Sequence, residues 1–369
     1  MAEAMRRLRI LHVLSRGLRG GAQSLIRDIT LRSRHDNVLC TWHTSGPLND
    51  ELEAKGHTTI DLSGVAFPAV IRRLEEEVAA GKYDVVVNHG YEGKQAIIFA
   101  HGEFDNCTVV QYLHSCYDAR FARHRWAQPF LRRYTKRAYA KANATVAISQ
   151  CVLDDHRANF GRLVNPHVLY NGIDEDRFRR IADVCRPLNS PMEILYLGRL
   201  IEEKGVQNLI SACALLRDAG IAFNLTIAGW GDREEELMGL AKSLDVNVRF
   251  MGETDKPEEC YASADVFVHS PIRQEGFGIT LVEAMASGCI CVASDIGGIP
   301  EIITDGRDGY LVEAGNTKAL AERLAEVSKA TADEILAIRE AAANRARDFS
   351  LDGFVERFDA MMEELTCNA

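Results

Sequence analysis

Ile194-Leu195-Tyr196-Leu197-Gly198-Arg199-Leu200-Ile201-Glu202-Glu203-Lys204-Gly205-Val206 opens with four apolar residues, turns at a glycine, and leads into an amphipathic stretch over 206–219. A short apolar run bounded by turn residues predicts a buried strand, and the 3.6-residue periodicity after it predicts a helix. The same unit recurs along the chain. In the first half, strands are predicted at 9–14, 38–42, 84–88, 108–113, 144–148 and 167–169. In the second half they are predicted at 193–196, 224–228, 248–250, 266–269 and 290–293, with helices between them, for example over 234–243 and 280–286. Buried strands that alternate with helices imply parallel sheets, so the expected class is α/β.

A chain of 369 residues exceeds one ordinary core. The pattern restarts near residue 193, after an aperiodic piece, 181–192, that holds Pro187, Asn189, Ser190 and Pro191 and reads as a linker. Two doubly wound, Rossmann-like domains are therefore expected, 1–180 and 193–349, facing each other across a cleft. Ligands would sit at the carboxyl ends of the strands. A net charge of −10 argues against nucleic acid as a partner. No run of 18 apolar residues is present. The ten cysteines form no Cys-x-x-Cys pair, and Cys289 and Cys291 lie in an apolar run, which reads as core in a reducing compartment, the cytoplasm.

The richest stretch for chemistry is Arg273-Gln274-Glu275-Gly276-Phe277-Gly278-Ile279-Thr280-Leu281-Val282-Glu283. Glu275 stands in a glycine-rich turn and Glu283 on the helix that follows. Small residues between them leave backbone N–H groups open at a helix start, which suits a phosphate. Carboxylates beside such a site would repel phosphate, so hydroxyls are their simplest partners. Phosphate with hydroxyls suggests a nucleotide sugar. Arg199 and Lys204 follow the strand 194–197 and can converge on a diphosphate, Arg by its fork and Lys as a point charge. The alternative is two surface cations.

Other candidates read both ways. Gly229 and Gly231 form either a nucleotide contact or an ordinary turn between strand and helix. Arg16-Gly17-Leu18-Arg19-Gly20-Gly21-Ala22-Gln23-Ser24 is a glycine-rich loop, but neither a dinucleotide fingerprint nor a Walker loop. His114, after the apolar run 109–113, is either a cleft group able to donate to a sugar or a structural histidine. Asp174-Glu175-Asp176 matches a metal–diphosphate motif that chance alone often produces. Residues 119–141 hold eight Lys or Arg and no acid, with aromatics between them, which fits either an anionic membrane surface or a solvated basic face.

In this order the motifs resemble the retaining glycosyltransferases of family 4, which have the GT-B fold, including those of bacterial polysaccharide assembly. The marks are Glu275 and Glu283 at seven intervening residues, Gly198-Arg199-Leu200 with Glu203-Lys204-Gly205, Gly229 with Gly231, Tyr170-Asn171-Gly172-Ile173-Asp174, Gly20-Gly21-Ala22, and Ala293-Ser294-Asp295-Ile296-Gly297-Gly298-Ile299-Pro300-Glu301. The resemblance implies that Arg199 and Lys204 hold the donor diphosphate and Glu275 the sugar hydroxyls. Backbone amides around Phe277, Gly278 and Ile279, with Thr280 in the same donor-binding set, would meet sugar and phosphate. Glu283 would bind the ribose and His114 the donor sugar, while Gly20 and Gly21 would lie near phosphate and acceptor.

It further implies that residues from about 350 to 369 pack back on the first, acceptor-side domain, and that neither metal nor cofactor is needed. A UDP-sugar is the favoured donor and GDP-mannose the second. The acceptor would be a saccharide or a lipid-linked one, in surface polysaccharide or glycolipid assembly, and the basic stretch 119–141 points to a peripheral place at the inner face of the membrane. One departure stands out, since many members carry Glu where this chain has Gln23. A nucleotide-sugar epimerase of the same fold and a non-catalytic sugar-nucleotide binder are the competing readings.

Overall fold

The computed structural model describes residues 6–18, 20–90, 93–117, 128–179 and 185–367. The chain forms two compact units, Met1–Gly172 with Leu351–Ala369, and Ile173–Ser350.

The first unit is built on strands β1 (Arg9–Arg16), β2 (Asp36–Thr44), β3 (Thr59–Asp61), β4 (Val85–Asn88), β5 (Thr108–Leu113), β6 (Ala144–Ala147) and β7 (Pro166–Val168). They form one parallel sheet in the order β3-β2-β1-β4-β5-β6-β7. The central strands are continuous apolar runs because helices cover both faces, and every residue of β4 and β5 is buried. The order reverses at β1, which is flanked by β2 and β4. Loops leaving β1 and β4 therefore diverge and open a crevice at their carboxyl ends.

Helix Leu351–Cys367 closes this unit. It buries Phe354, Val355, Phe358, Met362 and Leu365. Its Asp359 carboxylate accepts from Ser33 Oγ at 2.6 Å and from the Arg34 N–H at 3.1 Å. Arg32 pairs with Asp352 at 2.8 Å.

The second unit contains β8 (Met192–Leu197), β9 (Phe223–Ala228), β10 (Val248–Gly252), β11 (Val266–His269), β12 (Ile290–Asp295) and β13 (Tyr310–Glu313). These also run parallel, in the order β10-β9-β8-β11-β12-β13, so the reversal falls between β8 and β11. Cys289 and Cys291 are free thiols buried at the start of β12.

Two strands escape the sequence pattern. β3 and β13 are short edge strands of mixed exposure and lack the apolar run that marks a central strand. The expected linker also differs. Residues 180–184 lie outside the described residues, but 185–192 are held inside the second unit. Buried Asp265 accepts from Arg186 Nη1 at 2.8 Å, Arg339 Nη2 at 3.3 Å, and the N–H groups of Asn189 at 3.0 Å and Glu193 at 2.9 Å. The boundary falls earlier, at Gly172/Ile173, where the Ile173 N–H donates to the Phe349 carbonyl at 2.9 Å. Proline and asparagine suggested a loop, and it is one; an ion cluster fastens it down.

Candidate functional site

In the second unit the expected site residues converge on the carboxyl ends of β8 and β11. After β8 the chain turns through Gly198, Arg199 and Leu200 into a 3₁₀ turn, Glu202–Lys204, and then the helix Val206–Asp218. After β11 it loops through Glu275 to the helix Ile279–Ala286. Two glycines lock these loops together. Gly205 has φ +67°, and a Cβ there would lie 1.9 Å from the Ser270 carbonyl oxygen. The Ile272 N–H donates to the Glu203 carbonyl at 2.9 Å across the same contact. Gly297, at φ +65°, packs on the Glu275 backbone, where a Cβ would come within 2.3 Å of its carbonyl oxygen. That carbonyl accepts from the Gly298 N–H at 2.8 Å. Backbone contact on two sides thus fixes where Lys204 and Glu275 start.

The side chains meet. Lys204 Nζ donates to Glu275 Oε2 in an ion pair, and His269 Nε2 lies 3.7 Å from the same oxygen. Burial pushes the Glu275 carboxyl up, but the Lys204 ammonium, helped by His269, outweighs it and holds the carboxyl well below the usual range. His269 is buried, and neither ring nitrogen has a hydrogen-bond partner among the described residues. Burial lowers its affinity for a proton despite Glu275 beside it. An ammonium has three N–H donors, so Lys204 retains two beyond the Glu275 bond. Arg199 is exposed, and its carbonyl accepts from the buried Tyr196 hydroxyl at 2.8 Å, which shapes the turn.

Glu283 lies one turn into the helix that starts at Ile279. By helix geometry the N–H groups of Ile279 and Thr280 have no intrahelical acceptor, and no acid occupies this first turn. Gly278 precedes them at φ +99°. Phe277 is buried edge-on against Phe349, with ring centroids 5.5 Å apart, so its ring belongs to the core. The Tyr261 hydroxyl donates to Glu283 Oε2 at 3.0 Å. Burial raises the Glu283 carboxyl to about 7, against the pull of Tyr261 and Arg177.

Gly229 is needed by its neighbour. At φ +138°, a Cβ there would lie 1.8 Å from the Gly198 carbonyl oxygen. The Leu200 N–H donates to the Trp230 carbonyl at 2.8 Å in the same seam. This close approach alone requires a glycine here. Asp174 lies at the start of the short helix Glu175–Arg179, where its Oδ1 accepts from the Arg177 N–H at 3.4 Å.

In the first unit, Gly20 and Gly21 open the helix Gly21–Arg32 after β1. The Gln23 amide donates to the Arg16 carbonyl at 3.2 Å, a bond that a glutamate there could not make. Arg19 lies outside the described residues. His114, just after β5, belongs to a line of imidazoles. Its Nε2 is 2.8 Å from His89 Nδ1, His89 Nε2 is 2.8 Å from His12 Nδ1, and His12 Nε2 is 2.9 Å from Asn37 Oδ1. Beneath them Gln95, Asn88 and Gln111 form a second buried amide network, with Gln95 Nε2 on Asn88 Oδ1 at 2.7 Å and Asn88 Nδ2 on Gln111 Oε1 at 2.6 Å.

The basic stretch is described only from Gln128. Arg120, Arg123, Arg125 and Trp126 lie outside the described residues. The helix Gln128–Lys141 ties Arg132, Arg137 and Lys141 to backbone carbonyls of its own unit, those of Asn159, Ala100 and Gly102. Arg133, Lys136 and Phe130 remain exposed.

Sequence reasoning passed over His269, Tyr196, Tyr261 and the line from Asn37 through His12 to His89. His269 ends a predicted strand, the same signal that marked His114. His89 directly follows the predicted strand 84–88 and carried that signal too, whereas His12 and Tyr196 are buried inside apolar runs, which carry no local signature. Among the described residues no group of three or more His, Cys, Asp or Glu is arranged to hold a metal. No helix there is long and apolar enough to cross a membrane.

Two family models cover the two units. "Glycosyltransferase Family 4" matches residues 19–177 and "Glycosyl transferases group 1" matches 186–348. The chain belongs to the family 4 glycosyltransferases. The amylovoran biosynthesis glycosyltransferase AmsK of Erwinia amylovora is 27% identical over 314 residues, 78% of this chain and 71% of its own length. The phosphatidyl-myo-inositol mannosyltransferase of Mycobacterium leprae is 37% identical over 157 residues, but the match spans only 42% of each protein. The fold is GT-B. Anabaena Alr3699/HepE, solved with UDP-glucose, superposes with a TM-score of 0.80 at 20% identity, covering 97% of this chain and all of that one. The lipopolysaccharide outer core galactosyltransferase WaaB superposes at 0.73 and 17%, covering 95% and 98%.

Proposed function

We propose that the protein transfers a sugar from a nucleotide-sugar donor to a saccharide or lipid-linked acceptor, with retention of anomeric configuration, in surface polysaccharide or glycolipid assembly. One observation carries this reading. Lys204, Glu275 and the helix start at Ile279 all leave the carboxyl ends of β8 and β11, the strands between which the sheet order reverses. Cation, carboxylate and open amides suit diphosphate and hydroxyls at one place.

In this reading Lys204 and Arg199 stabilise charge on the departing nucleotide, and no metal is required. Glu275 accepts from sugar hydroxyls, Glu283 from ribose, and the amides of Gly278, Ile279 and Thr280 meet phosphate or sugar. His114 contacts the transferred sugar, and the loop at Gly20 and Gly21 lies near phosphate and acceptor. The acceptor hydroxyl attacks from the face that the nucleotide leaves. A UDP-sugar is the proposed donor because Alr3699/HepE was solved with UDP-glucose; GDP-mannose is second. The protein works at the cytoplasmic membrane face.

Incubation with labelled UDP-glucose and GDP-mannose, with and without a lipid-linked saccharide, tests this. Nucleotide release that depends on the acceptor is the expected result. Sugar isomerisation without acceptor would replace the reading by epimerisation, and binding without release would replace it by a mere binder. The anomeric coupling of the product reports retention.

A further inference from the structure

The hydrogen-bonded line in the first unit runs across four neighbouring strands. Asn37 is on β2, His12 on β1, His89 directly after β4 and His114 directly after β5, and the sheet order there is β2-β1-β4-β5. The line is buried as far as His114, which is half-buried: His12 is fully enclosed, Asn37 is 3% exposed and His89 8%. Its rings lie nearly in one plane, as in-plane N–H···N bonds require, with 22° between His12 and His89 and 29° between His89 and His114, and Tyr112 stacks on His114 at 4.7 Å.

Such a line has a direction, and its start is fixed. The Asn37 Nδ2 donates to the His35 carbonyl at 3.2 Å, so the oxygen of that amide is the atom facing His12 Nε2. An oxygen can only accept, so His12 carries its proton on Nε2 and offers Nδ1 as a lone pair. His89 must then donate from Nε2, which leaves its Nδ1 as an acceptor. His114 must donate from Nε2 in turn. Burial keeps the rings neutral: it lowers His12 to about 4, and with the neighbouring His12 it lowers His114 to about 3.

We infer that Asn37, His12 and His89 are positioning residues that hold His114 in its Nε2–H tautomer, so that His114 presents a bare Nδ1 as a hydrogen-bond acceptor. The Nδ1 has no hydrogen-bond partner among the described residues. The group it recognises must therefore be a donor, which on the function proposed above is a hydroxyl of the transferred sugar. This reverses the sequence expectation that His114 donates to the sugar. It also makes His114 an acceptor of a hydrogen bond and a poor base. A proton arriving at Nδ1 would require a cation in a buried line whose far end, an amide oxygen, cannot take a proton.

Long-range ¹H–¹⁵N correlation of the imidazoles in the full chain tests this directly. The expected spectrum at neutral pH shows His12, His89 and His114 each with a protonated Nε2 and a bare Nδ1. A His114 protonated on Nδ1, or cationic, overturns the inference. In Asn37→Leu the single His114 tautomer should give way to a mixture, and kcat/KM for sugar transfer from UDP-glucose should fall about tenfold, as for one lost hydrogen bond, with UDP affinity unchanged. An unchanged His114 tautomer in that variant overturns the role of the line. If Asn37→Leu does not fold, the wild-type spectrum decides alone. Absent sugar transfer alongside the expected spectrum would refute the proposed function and leave the tautomer assignment standing.

Discussion

Lys204 and Glu275 hold each other in an ion pair, and this sets what their removal does. Lys204→Ala deletes the cation proposed to stabilise the leaving nucleotide and leaves Glu275 without its ion-pair partner. Turnover should fall by about 10²- to 10³-fold, measured as nucleotide release, while circular dichroism stays that of a folded protein. Near-normal transfer would exclude the role given to Lys204. Glu283 makes a pH prediction. Burial raises its carboxyl from the ordinary 4.5 to about 7. The stability it contributes is thus fully present below about 4.5 and is lost as pH rises through about 7. Ribose binding has the opposite sign, because an ionised carboxylate is the stronger acceptor for hydroxyls. UDP affinity by calorimetry should rise between pH 6 and 8, roughly one unit either side of that value, and Glu283→Gln should flatten the rise. Arg199, Lys204, Glu275 and His114 were legible because each lies in a loop that follows an apolar run, and sequence periodicity finds apolar runs. His12 was not, because a polar residue buried mid-strand looks like a break in the run until its partners Asn37 and His89 are seen.

At the scale of elements, the site depends on contacts where loops touch through bare backbone. Gly205→Ala should destabilise the second unit by about 1–3 kcal/mol in urea titration, since both the positive φ and the Ser270 carbonyl oppose a Cβ. It should lower activity as well, by moving Lys204. Asp265→Ala should cost more, about 3–5 kcal/mol, because it leaves the fully enclosed Arg339 without its carboxylate. The Gln128–Lys141 helix spends three of its cations on its own unit, which leaves Arg133, Lys136 and Phe130 for a membrane surface. Flotation with anionic vesicles at low salt should capture the protein, and Arg133→Glu with Lys136→Glu should abolish capture. Wild-type protein that stays below the vesicles would end the membrane reading.

At the scale of the molecule, alternation of buried strands and helices was enough to predict two parallel sheets. It was not enough for their edges, β3 and β13, where exposure dilutes the apolar signal. Nor did it find the boundary, because the aperiodic 185–192 is secured by Asp265 from far along the chain. The unit that contains the first strands is completed by Leu351–Cys367, whose Phe358 packs on His12 with ring centroids 5.9 Å apart. A chain cut after Ser350 should keep the second unit's unfolding transition and lose that of the first, as resolved by calorimetry.

That interruption sets an order of assembly during synthesis. Strands β1 to β7 leave the ribosome first, yet Phe354, Val355, Phe358 and Met362, which cover them, are made nearly two hundred residues later. Meanwhile Ile173–Ser350 emerges whole. The later-made unit is free to fold first, and the earlier-made one must wait, its apolar flank open, for the helix that closes it.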